Sequence, residues 1–532
     1  MSKIKKAINR VTIGYVVVTL IYQIVWLIAP IRAFLIDSGV DIVSSGFALL
    51  GFALLVWDLI TDRLFLKSKT ARLLVIVIAV LCLSSVINFR YGISKNAKVL
   101  IWQMVQMLVM FPLCHRIREE LHGMFLCVVH AISSAVIIPA VLVSLYQFCY
   151  LIFYNIDIDG SATRQGFQSG RLFGVFASIY FACLFCALLC IASVYLARKT
   201  KKTWLRVLYA LESFICLVYI ILSDTRSVQV GLITVIFVSS FVICKSSRRI
   251  GGLVHNRILK SAVCVVLAGI TVVCSIGLFN LGSNALKKIP QYLVSADKII
   301  DTVPDDDSDK DEKDPSTEKD PSAEKDPDKD PAVDPDDEDD LLDSMLDRTD
   351  TTLDNISNGR FEIWSDYISV TLSNLKAILF GYGPGSYMDA IRENYPDTFI
   401  VSKIKDYYPA MFDQGLIYDT HNAYLSVFVT AGVLGVLAIG AFLLYGAVRM
   451  FRYLLSSCKP SGAALTLSMM LLMILVAVFF DSDMFFKCTD TSMVFWIASG
   501  FLFVRIDGEM NKKKTEDVSV SESAEPLTQA NE

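Results

Sequence analysis

Long apolar runs separated by short polar segments make up most of the chain. A helix needs roughly 20 apolar residues to cross the hydrocarbon core of a bilayer, and continuous runs favour such helices over strands, whose apolar positions alternate. The pattern predicts an all-α polytopic membrane protein with about twelve transmembrane helices. They lie at about 11–30, 40–60, 71–88, 97–114, 123–152, 171–196, 204–222, 226–244, 261–281, 423–447, 463–480 and 490–505. Eleven or thirteen helices also fit, because the run 123–152 is long and contains Pro139.

The composition supports this prediction. Hydrophobic residues make up 54% of the 532 residues and the mean hydropathy is +0.52, well above the values of soluble domains. The first run is too long for a signal-peptide core and no small-residue cleavage site follows it, so we expect a retained helix. Most of the thirteen cysteines lie in or beside apolar runs. Their spacing predicts neither a disulfide framework nor a metal site.

Lysine and arginine predict the orientation, because cytoplasmic loops carry an excess of both. With the N-terminus in the cytoplasm, that side collects 27 basic residues, whereas the short loops of the opposite side carry eight. The bias predicts cytoplasmic N- and C-termini and a polar cytoplasmic tail at 506–532. It makes residues 282–422 one large extracytoplasmic loop, between nine helices in 1–281 and three helices in 423–505.

An acidic insert lies within that loop. Residues 301–350 contain 23 Asp and Glu against six Lys and Arg, in a chain of net charge −4. A repeat of six residues, EKDPST, EKDPSA, EKDPDK, places proline at regular intervals. High charge and regular proline prevent a packed core, so the sequence predicts a disordered tether. Calcium binding or repulsion of anionic wall polymers is the alternative to a plain spacer, although the spacing of an EF-hand is absent.

The segment after the tether, residues 358–380, predicts an amphipathic helix that lies at the membrane interface. Asn358 is its predicted N-cap and Arg360 lies at its start. Its apolar face consists of Phe361, Trp364, Ile368, Leu372, Leu375 and Leu379. The helix ends in FGYGPGSY, whose alternating glycines permit close backbone approach, either in a plain turn or around a substrate. These glycines are Gly381, Gly383 and Gly385.

Three further polar residues fall on the predicted extracytoplasmic side. His421 directly precedes the apolar run that starts at 423. Arg226, in LSDTRSVQVG, falls in a very short turn between two spans, and Arg171, in SGRLFGVF, stands at the mouth of another. Arginine at a membrane boundary can simply reach toward lipid phosphates, and a lone histidine can be structural, so both alternatives stay open.

Arginines and one histidine on this side favour a particular class of substrate. The guanidinium group binds phosphate through paired, charge-assisted hydrogen bonds, and histidine can take a proton from a sugar hydroxyl near neutral pH. Together they suit a lipid diphosphate that carries a sugar chain, with the diphosphate as leaving group. This chemistry demands neither a metal nor a cofactor, and we expect no nucleic-acid partner. Activity should fall below about pH 6.5, the ordinary pKa of histidine.

Four local patterns resemble those of the O-antigen ligase and polymerase superfamily of bacterial membrane glycosyltransferases. They are RLFG at 171–174, SDTRS at 223–227, GRFEIW at 359–364 followed by FGYGPGSY, and HNAYLSVFVTAGVLG at 421–435 with Gly432 and Gly435. Their order along the chain makes the set more specific than any one pattern, and the likeness covers 171–447. The first motif of the family often continues into a proline-asparagine pair, whereas this chain reads VFASIYF.

The resemblance implies a function in the bacterial cytoplasmic membrane. It implies transfer of glycan, without a metal, from an undecaprenyl-diphosphate-linked oligosaccharide to an acceptor glycan or lipid. Arg226 and Arg360 would bind the diphosphate, His421 would orient or deprotonate the acceptor hydroxyl, and Asn422 would brace the site. Arg171 and the glycine turn are further candidates for substrate binding. Ligase, polymerase and protein-glycosylating activities all stay open.

Two other classes of function are compatible with the sequence. A transporter or flippase of lipid-linked oligosaccharide would need charges inside the spans and two similar halves, and Asp58 and Glu212 are the best signs of it. A sensor would use the acidic insert as a cation receptor. The sequence DSD at 481–483 is expected to be a solvated loop.

Overall fold

The computed structural model describes residues 2–39, 41–64, 69–158, 161–247, 257–293, 359–455, 461–482 and 484–523. Within these ranges, eleven helices are long and apolar enough to cross a membrane. This result confirms the predicted all-α polytopic membrane fold. The acidic repeat at 301–350 and the predicted cap Asn358 lie outside the described residues.

The helices and strands follow one another with short connections. The first nine helices are α1 Ser2–Val25, α2 Ala29–Asp37, α3 Asp41–Thr61, α4 Lys69–Ile87, α5 Ile93–Val105, α6 His122–Cys149, α7 Ile179–Lys199, α8 Thr203–Ser223 and α9 Arg226–Ser246. Strands β1 Phe153–Ile158, β2 Ser161–Gln168 and β3 Arg171–Gly174 lie between α6 and α7. The remaining helices are α10 Arg257–Lys287, α11 Ile289–Leu293, α12 Arg360–Leu372, α13 Leu375–Phe380, α14 Tyr387–Asn394, α15 Phe399–Tyr407, α16 Pro409–Asp413, α17 Ala423–Leu455, α18 Gly462–Ala477 and α19 Asp490–Ser523.

Two predicted spans have a different extent in the structure. The run 123–152 forms the single helix α6 despite its internal Pro139. The last predicted span, 490–505, is the beginning of α19, which continues into the polar sequence to Ser523. This helix is not among the eleven, because its apolar part is short.

The prediction that a span begins at 171 is wrong. Residues 153–174 form a three-stranded antiparallel sheet of order β1-β2-β3, in which Phe153 pairs with Gly166 and Gln168 with Arg171. Burial alternates along β3, as expected for a strand with one covered face. Helix α7 begins only at Ile179, because RLFGVF merges in the sequence with the apolar residues of that helix and so conceals the boundary.

The predicted helix 358–380 is broken into α12 and α13. The break lies at Ser373 and Asn374, where the Asn374 side chain accepts the Lys376 N–H at 2.9 Å and so caps α13. The predicted apolar face is largely exposed, with Phe361 at 65% and Leu375 at 70%. The opposite positions, including Ile363, pack into the protein. An exposed apolar face is what an interfacial helix requires, and that location stays a prediction.

The loop segment 359–422 has a hydrophobic core of its own, separate from the core of the membrane helices. It is formed by α12 to α15 and closes on α17 through Val429. The buried members include Ile363, Tyr367, Val370, Tyr382, Tyr387, Ile391 and Ile400. This core holds α12 against the beginning of α17. We call the side of the membrane on which α17 begins, and which carries this segment, the loop side.

Candidate functional site

His421 lies immediately before the first turn of α17. The Asn422 side chain caps that helix by accepting the N–H groups of Tyr424 and Leu425 at 2.9 and 3.0 Å. His421 itself is half-buried, with a left-handed φ of 45°. Such a conformation costs a non-glycine residue about 1–3 kcal/mol and persists only where the surroundings impose it. The cap and the residues before it therefore fix the position of the histidine.

Asp419 provides a charged neighbour for His421. The Asp419 carboxylate forms an ion pair with Lys487, whose ammonium group also donates to Ser482 Oγ at 3.0 Å. Burial works to raise the pKa of Asp419, but Lys487 outweighs it and His421 contributes in the same direction as Lys487, so the pKa lies below its ordinary range. Asp419 is therefore ionised at neutral pH and acts electrostatically on the imidazole.

Arg360 is held close to the histidine turn by its own helix. Trp364, one turn along α12, donates its indole N–H to the Thr420 carbonyl at 2.9 Å, and Tyr367 donates to the Tyr418 carbonyl. Residues four apart share a helix face, so the Trp364 bond orients Arg360 toward the same turn. Burial lowers the pKa of Arg360, and Asp481 opposes this effect. The guanidinium stays charged, since arginine does not lose its proton in proteins.

The loop that follows α18 connects these two charged groups. Ser482 is buried and contacts Lys487, while Asp481 interacts electrostatically with Arg360. The prediction of a solvated loop at 481–483 is therefore wrong for these two residues, and Asp483 lies outside the described residues. A chain of polar contacts leads from Arg360 through this loop to Asp419.

Arg226 occupies the predicted short turn. Helix α8 ends at Ser223, Asp224 has a left-handed φ of 45°, and the exposed Arg226 is the first residue of α9. Arg171 donates from Nε to the Ser223 carbonyl at 3.3 Å. Arg171 thus braces the turn that presents Arg226, and direct contact of Arg171 with substrate stays a prediction.

The first turn of α7 joins the two arginine clusters. Tyr180 interacts with Arg360. Cys183 lies 2.7 Å (Sγ to Oγ) from Ser223 and donates to Thr225 Oγ1 at 3.4 Å. Positions three apart in a helix lie on the same face, so Arg360 and the turn of Arg226 border one stretch of α7.

The glycine turn seals a kink in α17. Gly432 interrupts this helix with a φ of 62°, and the freed carbonyls of Val429 and Thr430 accept the N–H groups of Tyr382 and Gly383 at 2.9 and 3.0 Å. A Cβ atom on Gly381 would lie 2.3 Å from the Thr430 carbonyl carbon. The close approach of two backbones therefore requires glycine here.

The remaining turn glycine has a similar explanation. A Cβ atom on Gly385 would lie 2.4 Å from the Lys95 carbonyl oxygen, and the Gly385 N–H donates to the Asn96 side chain at 2.8 Å. These contacts attach the turn to α5. They account for the three glycines by packing, and binding of substrate by them stays a prediction.

Metal ligands are not clustered at this site. Within the part of the chain that the structure describes, no group of three or more His, Cys, Asp or Glu side chains could hold a metal ion. The charged groups that face one another are arginine, lysine, carboxylate and histidine. Such a set can bind an anion and move a proton.

Sequence reasoning missed four of these residues: Trp364, Asp419, Asp481 and Lys487. The sequence does contain signals for two of them. Asp419 stands two positions before His421 in DTHN, and Lys487 is the one basic residue of a short loop between apolar runs. The ion pair between them depends on how α17, α18 and α19 pack, which no local pattern encodes.

The comparison with known families agrees with this geometry. A family model described as O-antigen ligase matches residues 211–440. The match contains Arg226, Arg360, the glycine turn and His421, and Arg171 lies before it. No curated protein matches the chain. Residues 211–440 are thus an O-antigen ligase domain, and the chain belongs to the O-antigen ligase and polymerase superfamily of membrane enzymes in surface polysaccharide biosynthesis.

Proposed function

We propose that this protein transfers a glycan from an undecaprenyl-diphosphate carrier to an acceptor hydroxyl at the outer face of the bacterial cytoplasmic membrane. The observation that carries the proposal is the pairing of two motifs on the loop side. His421 sits on a strained turn beside Asp419, and the helix of Arg360 is hydrogen-bonded to that same turn. An ionised base and a phosphate-binding cation thereby border one site.

The reaction breaks one bond and forms one. The acceptor hydroxyl oxygen attacks the anomeric carbon, and the bond from that carbon to the diphosphate oxygen breaks. His421 takes the hydroxyl proton, with Asp419 stabilising the imidazolium that forms. Arg226 and Arg360 hold the diphosphate and neutralise the charge that develops as it leaves. Arginine can supply this neutralisation without a metal ion, so turnover should survive a chelator.

Charges inside the membrane bundle weaken the transporter alternative. Asp58 accepts a hydrogen bond from Arg116 at 2.6 Å and from the Leu64 N–H at 3.0 Å. Glu212 lies 3.3 Å from His130 Nε2. Both carboxylates that favoured transport thus have partners in the fold, which is the structural explanation for buried charges.

A transfer assay with the purified protein tests the proposal. His421→Ala and Arg360→Ala should abolish most turnover, whereas Arg90→Ala should retain it, because Arg90 forms only an exposed ion pair with Glu393. Full turnover in both site variants would refute the mechanism. Turnover that disappears with EDTA and returns with a divalent cation would refute metal independence.

Deletion in the native host distinguishes the two main activities. Loss of a polymerase leaves single repeat units attached to the final acceptor, whereas loss of a ligase leaves long chains on the carrier lipid. Gel analysis of the surface glycan separates these outcomes. An unchanged glycan would refute both.

A further inference from the structure

A polar cavity lies beside the site, on the loop side of α1 and α7. Its volume is about 310 Å³, at the lower end of the roughly 300–1,000 Å³ range of small-molecule pockets. The wall is part aromatic and part polar. It includes Tyr22, Gln23, Trp26, Arg32, Phe181 and Asp490.

The aromatic wall is ordered by its neighbours. The rings of Tyr22 and Trp26 lie 5.4 Å apart, and the Arg32 guanidinium lies 5.8 Å from the Trp26 ring. Both rings are half-buried, so part of each surface is available to a ligand. Their faces suit the C–H faces of a sugar ring, and the amide, guanidinium and carboxylate groups suit its hydroxyls.

The cavity is attached rigidly to the fold. The Ala29 N–H donates to the Val175 carbonyl and the Ala177 N–H donates to the Leu27 carbonyl, each at 2.8 Å. These bonds bridge the segment after α1 to the segment before α7. A fixed wall reduces the ordering cost of binding.

The cavity shares two walls with the proposed reaction site. Ser178 and Phe181, which line it, flank Tyr180, the residue of α7 that interacts with Arg360. Cys488 and Thr489, which also line it, directly follow Lys487, the partner of Asp419. A glycan whose reacting end lies at His421 can therefore extend into this space.

We propose that this cavity is a carbohydrate subsite that binds one or two sugar residues of a glycan substrate. The inference rests on the proposed function for the identity of the glycan. The sugars belong either to the lipid-linked donor or to the acceptor, and both present the same chemistry to the wall.

Direct binding tests the subsite without requiring turnover. The probe is the soluble oligosaccharide cleaved from the host's own surface polysaccharide, added to the full-length protein in lipid nanodiscs. Trp26→Ala should weaken its binding by about tenfold, Trp26→Phe should restore most of it, and Gln23→Leu should weaken binding while keeping the packing volume. Trp204→Ala, at an exposed position of α8, is the matched control. Farnesyl diphosphate, which carries no sugar, should bind all four variants equally.

The outcomes separate the subsite from the proposed function. Wild-type protein that fails to bind the oligosaccharide, or Trp26→Ala and Gln23→Leu that bind it normally, would overturn the subsite even where glycan transfer is active. Binding that follows the predicted pattern in a protein without transferase activity would keep the subsite and overturn the function. In an active protein, Trp26→Ala should raise the KM of one substrate, and whether this is the donor or the acceptor identifies the source of the sugars.

Discussion

The Trp364 indole donates a hydrogen bond to the Thr420 carbonyl at 2.9 Å and so ties the arginine helix to the histidine turn. The Trp364 ring also packs edge-on against Phe479, with 5.8 Å between ring centroids. One side chain therefore connects Arg360, His421 and the end of α18.

Replacing Trp364 by Phe should lower activity while preserving the fold. The ring contact with Phe479 is kept and one hydrogen bond, worth about 0.5–1.5 kcal/mol, is lost. We expect turnover to fall about two- to tenfold in the transfer assay, with an unfolding temperature close to that of the wild type. The exposed Trp204→Phe is the control. Wild-type activity in Trp364→Phe would show that this bond does not position Arg360.

The sequence predicted the fold class and the side of the membrane on which the site residues gather. Continuous apolar runs suffice for the helices, because a membrane span is defined by length and hydropathy. Arg226, Arg360 and His421 could be selected because each lies where a polar segment meets a span.

The sequence did not predict the connections between these residues. The sheet around Arg171 was hidden because its last strand runs directly into the apolar sequence before α7. The ion pair of Asp419 with Lys487 joins residues 68 positions apart. Trp364 looked like one member of an apolar face, and only the packing of α12 on the histidine turn reveals its hydrogen bond.

Changes at Asp419 and Lys487 should move the acid limb of the pH–rate profile in opposite directions. Asp419→Asn removes a negative charge near His421, so the imidazolium is less favoured and the neutral base persists to lower pH. Lys487→Met leaves that negative charge unbalanced, so activity is lost at higher pH. Each limb should move by up to about one pH unit. Movement of both limbs in the same direction would contradict the proposed electrostatics.

The same carboxylate should affect stability in acid. Because the folded pKa of Asp419 is below its ordinary value, its ion pair stabilises the protein above about pH 4 and loses this effect as the pH falls toward the folded pKa. Thermal unfolding between pH 7 and pH 3 measures the effect. The wild type should lose more stability than Asp419→Asn over this range, and equal losses would argue against the ion pair.

Arg360 should not be replaceable by lysine. Its charge-assisted bonds to a diphosphate are worth about 1.5–3 kcal/mol each, so Arg360→Ala should reduce turnover by about 10- to 150-fold. Lysine restores the charge but not the planar fork, so Arg360→Lys should recover only part of the loss. Binding of farnesyl diphosphate should weaken in parallel. Full recovery in Arg360→Lys would mean that only the charge matters.

The kink of α17 should require glycine at both contacting positions. Alanine at Gly432 would place a Cβ atom 2.4 Å from the Leu379 carbonyl carbon, and alanine at Gly381 would meet Thr430 at 2.3 Å, each at a positive φ. Strain of about 1–3 kcal/mol at either position should lower the unfolding temperature and displace the turn from the helix. Gly440→Ala is the matched control in the same helix, because nothing lies within 4 Å of its Cβ position and alanine favours helix. Thermal unfolding in nanodiscs compares the three variants, and a Gly432→Ala protein as stable and active as Gly440→Ala would show that the sealed kink does not support the site.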